Sequence, residues 1–110
     1  MAEVSESMIQ KALWIKGNRD GKRLFRNNVG TATTKDGRFI SFGLHKGSAD
    51  LIGWESIEIT PEMVGEKIAR FLSVEVKAKN GRVSDAQNLW ASVVNNAGGR
   101  AIIARSINEL

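Results

Sequence analysis

Cysteine is absent from this chain, and histidine occurs once, as His45. The first absence excludes a disulfide scaffold and thiolate metal sites. The scarcity of imidazole leaves oxygen donors as the basis for any cluster of metal ligands, so a bound metal would be a hard cation. No apolar run approaches the ~20 residues of a membrane span. The opening Met1-Ala2-Glu3-Val4-Ser5-Glu6 lacks the basic and apolar regions of a signal peptide. These absences predict a cytoplasmic protein with no membrane partner. His45 lies in a loop and is given no role.

What is present is ordinary globular composition, 42% hydrophobic and 25% charged over 110 residues. That length predicts one domain, 1–110, able to bury roughly two-thirds of its unfolded-chain surface. The net charge is +4 and the isoelectric point about 9.8, a bias that suits an anionic partner without proving one. Its distribution is more telling. Lys22, Arg23, Arg26, Lys35, Arg38 and Lys46 crowd one part of the chain against only Asp20 and Asp36.

Ser5 is a suitable N-cap for a helix running to about Lys16, where Gly17 and Asn18 stop the pattern. Glu6 shares a face with Ile9 and Leu13, so it stands either at the end of an apolar stripe or as a favourable acid in the first turn. Leu24–Val29 and Arg38–Gly43 read as strands joined into a hairpin across Asp36-Gly37. Phe25, Phe39 and Phe42 are expected to face inward. Glu55–Thr60 alternates like a peripheral strand, and Thr60-Pro61-Glu62-Met63 like a capped helical turn. Ser84-Asp85-Ala86-Gln87 has the form of a capping box, opening a helix that ends at Gly98-Gly99. A strand follows at Arg100–Arg105, and helix followed by strand suggests a crossover onto the same sheet.

The candidate site is the strand Arg70–Lys77, above all Glu75-Val76-Lys77. If extended, it projects Ser73, Glu75 and Lys77 from one face while Val74 and Val76 fill the other. Glu75 and Lys77 then converge on a ligand without pairing with each other, or else they are solvated charges on an edge. Asp50, opening an apolar strand after Lys46-Gly47-Ser48-Ala49, supplies a second carboxylate. Two carboxylates on adjacent strands suit Mg²⁺, which keeps waters for substrate and nucleophile, and a neighbouring lysine can orient that water or stabilise charge on phosphorus. Trp14, Trp54 and Trp90 are candidates for a core or a dimer surface.

Asp50 followed by Glu75-Val76-Lys77 resembles the PD-(D/E)XK nuclease superfamily. Within it the chain resembles the VRR-NUC (virus-type replication-repair nuclease) family, in the small stand-alone form carried by bacteriophages. The blocks that carry this likeness are Arg26–Gly30, Lys46–Gly53, Glu75–Lys77, Gly81–Gln87 and Ala97–Gly99, in the family's order. Ala49 stands where the superfamily has proline, a small-residue departure that this family tolerates.

The resemblance implies an α/β restriction-endonuclease-like fold, a central mixed β-sheet flanked by α-helices. It implies a Mg²⁺- or Mn²⁺-dependent, structure-selective endonuclease, a hydrolase of phosphodiester bonds in DNA repair. Holliday junctions are the implied substrate, and no nucleotide cofactor is needed. Asp50 and Glu75 match the metal ligands, Val76 would add its backbone carbonyl, and Lys77 matches the catalytic lysine. Glu6 matches a first-helix acid. Gln87 matches a polar catalytic-site residue, or is simply the reciprocal half of the Ser84 capping box. Arg26, Asn27, Lys46, Ser48, Lys79, Arg82 and Arg100 are expected to contact DNA. The near two-fold symmetry of a four-way junction suggests a homodimer acting as a resolvase, and a phage-encoded chain would work in the host cytoplasm. The competing expectation is a DNA-binding accessory module that keeps the nuclease fold without chemistry.

Overall fold

Ser5 starts the first helix as its residue type predicts: its hydroxyl accepts from the Met8 amide at 3.2 Å, and helix α1 runs over Glu6–Lys16. The computed structural model describes residues 4–110. The chain divides between Glu55 and Ser56 into two compact units.

In the first unit, strand β1 (Lys22–Arg26) pairs antiparallel with β4 (Leu51–Glu55), Leu24 facing Gly53 and Arg26 facing Leu51. Helix α1 is tied to β1 through Trp14, whose indole N–H donates to the Leu24 carbonyl at 2.9 Å. Asn18 adds two links: its amide nitrogen donates to the Trp14 carbonyl at 2.6 Å and its oxygen accepts from the Leu24 amide at 3.2 Å. Phe25 and Trp54 lie with ring centroids 5.6 Å apart. Trp14 and Trp54 are thus both engaged within this unit.

The hairpin differs from the expected one. Strand β3 (Phe39–Phe42) pairs with β2 (Gly30–Thr33), while Leu24 belongs to the β1–β4 pair. The turn is where Asp36-Gly37 places it, with Gly37 at φ +84°. The β-branched Thr31 and Thr33 make the segment next to that turn a good strand, and Asn27 ends β1 by turning its side chain inward. Phe39 and Phe42 are exposed, contrary to the inward placement that alternation suggests.

The second unit opens with an irregular stretch, so the expected strand at Glu55–Thr60 does not continue past β4. A single 3-10 turn at Pro61–Met63 follows. Strand β5 (Leu72–Val76), helix α2 (Asp85–Asn96) and strand β6 (Arg100–Ala104) then form the predicted crossover, with β5 and β6 parallel and Glu75 beside Ile103. Helix α2 closes at Ala97 and Gly98, the latter at φ +99°, a conformation that favours glycine. Val94 is the most buried side chain of the helix.

Among the described residues the strands form three two-stranded sheets, two within the first unit and one within the second. The α/β character and the parallel crossover agree with the sequence reading, whereas a continuous central mixed sheet is not seen. The two faces of β5 also differ from expectation. Ser73, Glu75 and Lys77 are half-buried, and Leu72, Val74 and Val76 are exposed. The cause is local: α2 holds β5 by polar hooks, the Trp90 indole donating to the Ser73 hydroxyl at 2.8 Å and the Gln87 amide reaching Glu75.

Candidate active site

In the first unit the segment leading to Asp50 is held by Asn27, the residue after β1. Asn27 is buried, and its amide nitrogen donates to the Ser48 hydroxyl at 2.7 Å and to the Ala49 carbonyl at 2.9 Å. Its side-chain oxygen accepts from the Leu44 amide at 2.9 Å, and its backbone N–H donates to the Asp50 carbonyl at 2.8 Å. One residue thus ties down both ends of the turn. Gly43, at φ +81° and packed against the Asn28 carbonyl, allows the reversal; a Cβ there has no room. Asp50 emerges exposed, and among the described residues no hydrogen bond or ion pair falls on its carboxylate.

In the second unit the site is built on side chains. Glu75 is half-buried on β5, and Gln87 in the first turn of α2 donates from Nε2 to Glu75 Oε1 at 2.8 Å. Lys77 Nζ lies 3.6 Å from the same oxygen. Glu75 and Lys77 therefore pair directly, where strand spacing alone suggests that they stay apart. Two long side chains on one strand face bend toward each other when the ammonium is the nearest positive charge. At 3.6 Å, with side chains 38% and 20% exposed, the pair is loose and partly screened. Both contacts use Oε1; among the described residues Oε2 has none.

Gln87 both completes the capping box and reaches Glu75. Its Oε1 accepts from the Ser84 amide at 3.0 Å, and its own backbone N–H donates to the Ser84 hydroxyl at 3.1 Å, completing the capping box. Because an amide has one acceptor end and one donor end, the cap consumes the oxygen and turns the nitrogen to Glu75. A cleft of about 270 Å³ opens beside these groups, lined by Ser73, Glu75, Gln87, Trp90 and Ile103 among others. Trp90 also meets Phe71 edge-on at 6.3 Å.

The other expected residues fall into distinct settings. Arg26 stacks its guanidinium over the Trp14 ring, 4.9 Å from the centroid, a cation–π contact that holds a positive group at the surface. Lys46, Lys79, Arg82 and Arg100 are exposed, as is Glu6 in the first turn of α1. Asn27 and Ser48 bond to each other, and the Asn27 amide is spent inside the unit. Val76 is exposed at the end of β5.

Sequence reasoning missed Arg105, whose guanidinium donates to the carbonyls of Ala78 at 2.7 Å and Lys79 at 3.2 Å. The missed signal is its position: it follows β6 as Lys77 follows β5, so parallel pairing puts it beside the segment that leaves the site.

Among the described residues no three acidic or histidine side chains gather as a ready-made metal cage. Each unit nevertheless carries a carboxylate of the kind a hard cation takes: Asp50 in the first, and Glu75, with Oε2 unengaged among the described residues, in the second. No helix among the described residues is long and apolar enough to cross a membrane.

Neither a curated protein sequence nor a solved structure gives a significant match to this chain. The family model of the VRR-NUC domain does match, over residues 4–108, spanning Asp50, the Glu75-Val76-Lys77 strand and the Ser84–Gln87 helix start. With nearly the whole length covered, the chain belongs to the VRR-NUC domain family, a family of nuclease domains.

Proposed function

We propose that this protein is a Mg²⁺- or Mn²⁺-dependent endodeoxyribonuclease that hydrolyses phosphodiester bonds in branched DNA, four-way junctions above all, as a homodimer. The observation that carries this reading is the Glu75–Gln87–Lys77 cluster. It presents a carboxylate with one oxygen steadied and the other open, and it keeps an ammonium within reach of the same place.

The residues that the family likeness nominates as oxygen donors for the cation are Asp50 and Glu6 in the first unit and Glu75 with the Val76 carbonyl in the second. A divalent cation held by these groups would supply a more acidic bound water and would draw charge from the phosphate. Lys77, only loosely paired with Glu75, is the group that would orient the attacking water or neutralise charge growing on the phosphate oxygens. Gln87 keeps Glu75 from rotating away. Arg26, Lys46, Lys79, Arg82 and Arg100 supply sequence-independent attraction to the DNA backbone.

The decisive assay offers four-way, flap, splayed and linear DNA to the wild-type protein and to Asp50→Ala, Glu75→Ala and Lys77→Ala, with Mg²⁺ or Mn²⁺. Each substitution is expected to abolish cutting while DNA binding persists, because each removes stabilisation specific to the transition state. Near-wild-type cutting by any variant would remove that residue from the mechanism. Salt-dependent binding with no product from the wild type would make the protein an accessory binding module instead. Sedimentation at working concentrations, with and without junction DNA, tests the dimer; a monomer in both would refute it.

A further inference from the structure

We infer that Ser84 is a positioning residue for the metal-binding carboxylate, acting through Gln87; this rests on the nuclease reading above. A Gln side chain can present either end of its amide to a neighbour, and the two ends have opposite effects on a carboxylate. The nitrogen attracts it, whereas the oxygen repels it. In this chain the choice is made by the start of helix α2. The Ser84 hydroxyl accepts from the Gln87 backbone N–H at 3.1 Å, which fixes Ser84 in the extended N-cap conformation, φ −75° and ψ 162°. In that conformation the Ser84 N–H meets Gln87 Oε1 at 3.0 Å, and only the Nε2 end remains for Glu75, at 2.8 Å.

The capping box therefore does two things. It satisfies helix-terminal N–H groups, as such boxes do, and it sets which end of an amide faces the candidate ligand. Without the Ser84 hydroxyl, the N-cap geometry relaxes, Gln87 is free to flip, and Glu75 loses the partner that steadies Oε1. Lys77 then competes alone for the carboxylate. Partners of this kind behind a metal ligand typically account for 10–100-fold in metal affinity or activity.

The test uses the full chain and pairs a kinetic arm with one that needs neither metal nor activity. Ser84→Thr and Ser84→Asp keep an acceptor oxygen and are expected to retain cutting. Ser84→Gly keeps a favourable N-cap backbone but lacks the oxygen. It is expected to lose about tenfold in kcat, with KM for DNA unchanged and a higher Mg²⁺ concentration needed for half-maximal rate. Gln87→Ala is expected to lose at least as much, and adding Ser84→Gly to it should cost nothing further, since Ser84 acts only through Gln87. Additive losses would overturn the inference.

In the second arm, hydrogen exchange at the Gln87 side-chain amide is followed by NMR. Slow exchange is expected in the wild type and Ser84→Thr, and fast exchange in Ser84→Gly. If the wild type cuts no DNA yet this pattern holds, the nuclease reading fails and the placement of Gln87 by Ser84 stands. An amide indifferent to Ser84 would overturn the inference whether or not the protein cuts.

Discussion

The two units hold their candidate acids by different means. In the first, Asn27 grips the chain on the way to Asp50, bonding to Leu44, Ser48, Ala49 and the Asp50 backbone while the carboxylate itself stays unengaged. In the second, β5 and α2 fix the chain, and the grip falls on the carboxylate: Gln87 and Lys77 both meet Glu75 Oε1. One arrangement fixes the path of the backbone and the other fixes a functional group. Damage to the first should therefore spread into folding, while damage to the second should stay within chemistry.

The largest effect that tests this contrast is expected at Asn27. Asn27→Ala removes three side-chain hydrogen bonds and strands the Leu44 N–H and the Ala49 carbonyl in partly buried surroundings. A loss of about 2–3 kcal/mol in unfolding free energy is expected. Urea denaturation measures it, and Gln87→Ala serves as the comparison that should change stability much less. Asn27→Asp sharpens the result: it keeps the acceptor for Leu44 but sets an oxygen against the Ala49 carbonyl, so it too should be destabilised. If both Asn27 variants kept wild-type stability and only DNA affinity fell, Asn27 would be a DNA contact and the contrast would collapse.

Arg105 offers an intermediate test, because it holds backbone within the same unit as the Glu75 side-chain cluster. Its guanidinium bonds the Ala78 carbonyl, which also accepts from the Gly81 N–H at 3.0 Å. Arg105→Ala is expected to speed hydrogen exchange at Gly81 and to lower cutting severalfold, at a stability cost of about 1 kcal/mol. Arg105→Lys keeps the charge but loses the planar donor set, so it should behave like the alanine variant. Full rescue by lysine would show that the charge matters there, as it would for a DNA contact, and not the hold on the loop.

This division also explains what could be read from sequence. Helix α2, its capping box and the β5–α2–β6 crossover were legible because each is specified by residues close in the chain: Ser84 with Gln87, then the apolar spacing, then Gly98. The partners of β1 and β3 were not, since both runs are short and the long-range choice between them depends on which residues Asn27 and Gly43 turn inward or around. Among candidate site residues, Glu75 and Lys77 stand out as charged groups on an otherwise apolar strand, and Gln87 through the capping box and the family resemblance. Asn27 looked like a surface hydrogen-bonding residue because residue type alone does not distinguish an amide facing phosphate from one spent on Ser48 and Ala49. The exposed face of β5 was misjudged for a similar reason: alternation shows that two faces differ, but the covering element decides which is inside.

The smallest expected effect asks whether gripping a carboxylate is enough to mark a functional group. Asp36, in the β2–β3 turn, is held much as Glu75 is: the Thr34 hydroxyl donates to Oδ1, and Arg38 Nε lies 3.0 Å from Oδ2. The Thr34 hydrogen bond is the main cause of a carboxyl pKa below its ordinary value of 3.8, and it outweighs the opposing effect of desolvation. A carboxyl whose pKa is lower folded than unfolded contributes stability that is present above the unfolded value and is lost as pH falls through the folded one. The stability difference between wild type and Asp36→Asn should therefore be present at neutral pH and close as acid takes the solution below about 3.8. Because the group is fully exposed, added salt should shrink the difference as well. Cutting of DNA at neutral pH should be unchanged in Asp36→Asn. A large loss would mean that a held carboxylate in the turn participates in function, and that the distinction drawn between Asp36 and Glu75 is false.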